Sequence, residues 1–199
     1  MTVVELVQGR PIITQRQRWG HYLVLIFGVI GLAIGLNLRN TVLNASAFYT
    51  DSRAGVSALY PQNWLLDTDG DYVFRVRDVI ESGFKTTIQV SVHPVGAATE
   101  SRNILDSLTL NRSQTLAAYE VLSREPFVLP DETMATSMTY TYVAAETNPF
   151  LQSIPQVILG IDVLTIKRGQ AIIITFLTDA EQFDEKQAIF NQFLSNLEF

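Results

Sequence analysis

The stretch QVILGIDVLTIKRGQAIIITFLT, residues 156–178, decides how this chain is read. Two runs rich in valine, isoleucine and threonine, Gln156–Lys167 and Ala171–Thr178, flank the pair Arg168-Gly169. Branched side chains suit a pleated surface, and a short glycine-bearing connection between such runs marks a hairpin. Working outward toward the C-terminus, a helix opens at Asp179 or Ala180. Its apolar stripe is Phe183, Ile189, Phe190, Phe193, Leu194 and Leu197. Toward the N-terminus, Thr133–Ala144 and Tyr119–Phe127 read as further strands. A helical block precedes them: Ser101 is its expected cap, Ile104, Leu105 and Leu108 share one face, and Ser113–Ala118 adds a turn or two.

Further upstream, Phe84–Val92 alternates with period two, Ile88, Val90 and Val92 on one face and Thr87, Gln89 and Ser91 on the other. Glu81-Ser82-Gly83 reads as the hairpin turn before it, and Tyr72–Arg77 as its alternating partner. Asp67–Asp71 is a turn, and Gly55–Pro61 is a short strand stopped by proline, with Pro61–Trp64 turning a tryptophan inward. Hairpin-linked strands interrupted by one helix and closed by another define an α+β domain, an antiparallel sheet with helices packed on it.

The N-terminal part is of another kind. From Tyr22 to Leu36 runs YLVLIFGVIGLAIGL, and Trp19–Leu38 makes about 20 uncharged residues, enough to span ~30 Å of hydrocarbon. Trp19, His21 and Tyr22 occupy an interfacial belt. Arg10, Arg16 and Arg18 precede the segment and only Arg39 stands close behind it, so the positive-inside rule places the N-terminus in the cytoplasm. The domain organisation is then a cytoplasmic segment 1–18, a transmembrane helix 19–38, a polar tether 39–54 and an extracytoplasmic (periplasmic or lumenal) domain 55–199. A cleaved signal peptide is the competing reading, since Ala45-Ser46-Ala47 has the small-x-small form of a cleavage site. That site lies well past the apolar run, which favours retention in the cell membrane. Gly28, Gly31 and Gly35 fall on one sector of the helix. Such a stripe lets a second backbone approach closely in lipid, although glycine is also common in membrane helices generally.

Charge divides in the same way. Residues 1–39 carry four arginines against Glu5, a net +3, and the remaining 160 carry 10 basic and 19 acidic side chains, a net −9. A domain so acidic repels phosphate backbones, which argues against nucleic acid as a partner. With no cysteine in the chain, disulfides, thiolate catalysis and cysteine-held metals are excluded.

Few residues could carry chemistry. His93 is the one histidine outside the membrane, it stands directly before Pro94, and no GxSxG elbow occurs. His21 suits an interfacial position without any ligand. Adjacent carboxylates such as Asp131-Glu132 and Asp184-Glu185 point apart and read as solvated surface. Gly83, Gly96, Gly160 and Gly169 are isolated turn glycines, not a phosphate loop. The chain is therefore expected not to be an enzyme. Asp67, Asp69 and Asp71 supply alternating hard-oxygen ligands, so two readings stand: a polar hairpin turn, or a surface site for calcium or manganese. The turn is favoured because Tyr72 occupies the position where a calcium loop needs glycine. The connection 146–155 carries Phe150, Leu151 and Ile154, which read either as a docking loop or as apolar groups folded back on the sheet.

The order of elements, together with YPQNW (Tyr60–Trp64) inside Tyr49–Trp64, Tyr140-Thr141-Tyr142, and Val163–Phe199 with ITFLTD (Ile174–Asp179) and the closing NLEF, resembles PsbP-like domains. These belong to the wider Mog/PsbP-type α/β sandwich, and the resemblance covers most of residues 48–199. It implies a non-catalytic accessory subunit on the periplasmic or lumenal face of a membrane complex, the best-known relatives being attached to photosystem II. A transmembrane anchor in place of a cleaved transit sequence departs from the plant form. What survives is a subunit of some electron-transfer or photosynthetic complex, with integral membrane subunits as partners and no resident cofactor. Proteins of that family have been linked to calcium and manganese. The alternative is a free-standing membrane-anchored binding module for a metal ion or small ligand.

Overall fold

Central strands must hide both faces, and β8 (Gln156–Lys167) and β9 (Gln170–Asp179) do so. Ile161 and Val163 with Ile172, Ile174 and Phe176 pack into one core, whereas Ile158 and Leu164 with Ala171 and Ile173 pack into the other. Arg168 and Gly169 join the two strands with φ of 54° and 73°, the left-handed pair that a two-residue hairpin turn requires.

The computed structural model describes residues 15–43, 45–80, 83–96, 98–145 and 154–199. Residues Ala45–Phe199 form one compact unit and Met1–Asn44 another. In the larger unit, β3 (Leu65–Asp67), β4 (Phe74–Arg77), β5 (Thr87–Pro94), β6 (Ala117–Val128) and β7 (Met134–Ala144) complete a seven-stranded antiparallel sheet. Its order is β3-β4-β5-β9-β8-β7-β6. After β5 the chain crosses through α2 (Ser101–Thr115) to the far edge strand β6, then meanders back strand by strand until β9 pairs with β5.

Helix α2 covers one face, where Leu105 meets Met138, Tyr140 and Ile158. The other face is covered by α3 (Phe183–Ser195) and by a separate hairpin of β1 (Ser46–Asp51) and β2 (Val56–Pro61). There Phe190, Phe193, Leu194 and Leu197 meet Val56, Ala58, Trp64 and Phe176, with Phe176 and Phe190 stacked at 4.8 Å. The result is a helix–sheet–helix sandwich, as the α+β reading expects.

Three local expectations need correction. The stretch 39–54 is not a polar tether: α1 (Gln15–Leu43) continues to Leu43, and Ser46–Asp51 is strand β1, stitched to β2 in full register. Ser101 is the first residue of α2; the capping position is Glu100, and no side chain caps it. Gly160 is no turn glycine, since it lies mid-strand in β8 opposite Tyr140. Of the hairpin turn expected at Glu81–Gly83, Glu81 and Ser82 lie outside the described residues, while Gly83 takes φ +87°.

In the smaller unit, α1 contains an apolar segment, Arg18–Arg39, of 22 residues and mean hydropathy 2.0, none of it buried.

Candidate functional site

The acidic turn comes first, because sequence offered it as a metal site. Asp67 ends β3, and antiparallel pairing sets Arg75 directly across from it and Arg77 on the same face two residues on. The Asp67 carboxylate accepts from the Asp69 backbone N–H at 3.0 Å, the Tyr72 hydroxyl at 2.8 Å and Arg75 Nη2 at 2.6 Å. Arg77 Nη2 stands 3.7 Å away. The Asp69 amide first, then Arg75 and Tyr72, hold this carboxyl well below the usual carboxylate range. A Cβ at Gly70 would come within 2.4 Å of the Tyr72 ring, so any larger residue there would displace that side chain. An arginine clamp occupies Asp67, and among the described residues no three Asp, Glu or His side chains gather around a cation position, Asp69 and Asp71 included.

Beside this turn lies an open depression of about 940 Å³, lined in part by Tyr49, Asp51, Arg53, Tyr72, His93 and Gln170. Tyr49 is fixed by donating from its hydroxyl to the Val73 carbonyl at 3.2 Å. His93 is exposed at the end of β5. The depression offers polar contacts from these side chains.

Sequence reasoning missed the most constrained polar group. Asp162, fully buried in β8, receives both terminal nitrogens of Arg112, Nη2 at 3.0 Å and Nη1 in a closer contact, together with the Thr175 hydroxyl at 2.7 Å. The guanidinium lies 4.4 Å from the centre of the Tyr140 ring, and Tyr119 flanks that ring at 5.4 Å. Burial works against the Arg112 charge, but the Asp162 carboxylate outweighs it and tightens its hold on the proton. Burial, then Asp162, pushes the Tyr140 hydroxyl well up. The ring crosses β8 over Gly160, where a Cβ would approach it to 2.4 Å. This cluster fastens α2 to the sheet. The signal was visible in VILGIDVLTI, since a carboxylate inside an apolar run needs a buried partner.

Of the expected docking loop, Phe150 and Leu151 lie outside the described residues; Ile154 is 85% exposed. In α1 the positions Gly28, Gly31 and Gly35 have nothing within 4 Å of where a Cβ would stand, and the whole apolar segment is exposed.

The sheet order and the two helical layers define a helix–sheet–helix sandwich domain. The fold is that of PsbP-like domains. The solution structure of cyanobacterial PsbP (CyanoP) from Synechocystis sp. PCC 6803 is similar over 77% of this chain and 92% of that one, with a TM-score of 0.57 at 17% identity. The Ran-binding protein Mog1p of Saccharomyces cerevisiae matches over 77% and 95%, at a TM-score of 0.49 and 9% identity. No family model and no curated protein matches the sequence. The likeness is one of fold.

Proposed function

We propose that the chain is a non-catalytic accessory subunit, held in the membrane by α1 and presenting its acidic domain to the extracytoplasmic, periplasmic or lumenal face of a membrane complex. One observation carries the reading. Between the last residue of α1 and the first of β1 stand only Asn44 and Ala45, and the domain engages the chain from Ala45 onward. Gln62 N donates to the Ala45 carbonyl at 2.8 Å, while Ser46 and Ala47 pair with Pro61 and Tyr60. Cleavage after Ala47 would cut inside a paired strand and strip β2 of that edge. Cleavage there would leave the domain's first strand incomplete, which supports a leader that stays attached.

The glycine stripe at Gly28, Gly31 and Gly35 supports the second half of the reading. In lipid, helices associate through close packing, and a glycine stripe is where a partner backbone fits. The resemblance to PsbP-like proteins adds an electron-transfer or photosynthetic complex as the proposed setting, with its integral subunits as partners. Mild-detergent extraction tests the whole reading. The chain should co-migrate with a larger assembly in fixed ratio, and Gly31→Leu with Gly35→Leu should release it. An unchanged assembly in the double variant would refute the helix contact; a chain that runs alone would refute the subunit.

A further inference from the structure

Strand registers determine which loops share an end of the sheet. Leu65 pairs with Arg77, Thr87 with Leu177 and Ile158 with Asp179. The connection leaving β4 and the start of β8 therefore share one end, where β3 also begins, and Ala45 lies beside it, its carbonyl accepting from Gln62 N in the turn that leads into Leu65. Two contacts bind the loops there. The Phe84 N–H donates to Gln156 Oε1 at 2.7 Å, and Gln156 Nε2 donates to Asp179 at 3.0 Å. At this entry end, aliphatic side chains face outward: Val79, Ile80 at 72% exposure, Ile154 at 85%, and Val157. The opposite end is turned by charged residues, Asp51 and Arg53, Asp69 and Asp71, Asp131, and Arg168, with Val128 and Met134 as one exposed apolar pair.

The covalent chain restricts where the entry end can go. Three Cα steps separate Leu43 from Ser46, at most about 11 Å when fully extended. The apolar segment Arg18–Arg39 is long enough for the hydrocarbon, and the four further helical residues to Leu43 add about 6 Å. For a retained span, the entry point then lies at most about 17 Å from the hydrocarbon edge, of which the headgroup layer takes about 5–7 Å. Exposed isoleucines on soluble surfaces are ordinary when scattered. Here Ile80 and Ile154 stand at the same end of the sheet, the end at which the chain enters the domain.

We propose that this end is a lipid-contacting foot, with Val79, Ile80 and Ile154 dipping into the headgroup–acyl boundary of the bilayer that α1 crosses. The proposal rests on the reading of α1 as a retained span. Its depth is that of interfacial apolar groups, about 5–10 Å into the boundary. It draws on apolar contact and not on charge, as suits a domain whose net −9 is repelled by anionic lipid. The foot would fix the domain's tilt and so choose which surface faces a partner.

The absence of cysteine makes the test direct. Single cysteines at Ile80, Ile154, Met134 and Ile30, each labelled with an environment-sensitive fluorophore, are placed in the full chain in phosphatidylcholine vesicles containing spin-labelled lipid. Ile80→Cys and Ile154→Cys should be quenched several-fold more than Met134→Cys, and by shallow labels more than deep ones. Ile30→Cys should respond to deep labels. Quenching at Ile30 with Ile80 and Ile154 no different from Met134 would overturn the foot alone. No quenching at Ile30 would overturn the anchor, and the foot with it.

Discussion

Replacing Arg112 by methionine keeps much of the side chain's length and removes its charge, leaving the Asp162 carboxylate in place. In the folded protein that carboxylate is 0% exposed and receives two bonds from Arg112 and one from Thr175. After the substitution only the threonine remains, and a buried charge stripped of its counter-ion costs about 3–5 kcal/mol. Against a total of about 5–15 kcal/mol for a domain, that is a large share. It corresponds to a fall of about 6–20 °C in midpoint for a domain of this length. Replacing both partners, Arg112→Met with Asp162→Leu, removes the charge as well as its counter-ion and should recover most of the loss, because apolar replacement of a buried pair is often neutral. Trp64, 5% exposed, is the only tryptophan beyond Trp19, so its fluorescence in the Ala45–Phe199 unit reports unfolding in urea. A single-variant loss below about 1 kcal/mol, the level of an exposed pair, would refute the claim that Arg112 neutralises a dry carboxylate. So would a double variant as damaged as the single one.

Other outcomes come from the same geometry. Gly160→Ala forces a methyl against the Tyr140 ring, where contact would fall to 2.4 Å, and should cost about 1–3 kcal/mol; a thermal melt matching the parent would show that the ring does not cross β8. Asp67 is held below its unfolded value, so its contribution is complete above about pH 4 and is lost as pH falls through the folded value. Asp67→Asn should therefore flatten the acid limb of the stability–pH curve, and an unaltered limb would mean the clamp is not formed in solution. Calcium should leave the melting midpoint of the parent protein where it is, since Arg75 already occupies Asp67; a rise with added calcium would contradict that arrangement.

The elements whose state is set locally were the ones legible in sequence. The β8–β9 hairpin was legible because Arg168-Gly169 supplies the turn between two runs of β-branched residues, and the α3 stripe because its apolar residues recur at helical spacing. Strand β1 was not, because SAFYTD carries no dense β-branched run and comes directly after an apolar helix. Its strand state comes from pairing with β2, which is itself bridged to Glu198 at the far end of the chain. Asp67, Asp69 and Asp71 have the spacing of a cation loop, and what decides their fate is Arg75 and Arg77 returning across the hairpin. The partner of Asp162 stands 50 residues away on α2, beyond any local pattern. The anomaly was readable in the sequence; its solution was tertiary.

The account depends on α1 staying attached to the strand it leads into. Intact mass of the protein extracted from its native membrane in mild detergent tests this most directly. Retention predicts a mass that includes the hydrophobic segment, recovered with partner subunits in constant proportion. A polypeptide beginning at Phe48, found in the soluble extracytoplasmic fraction, would contradict it.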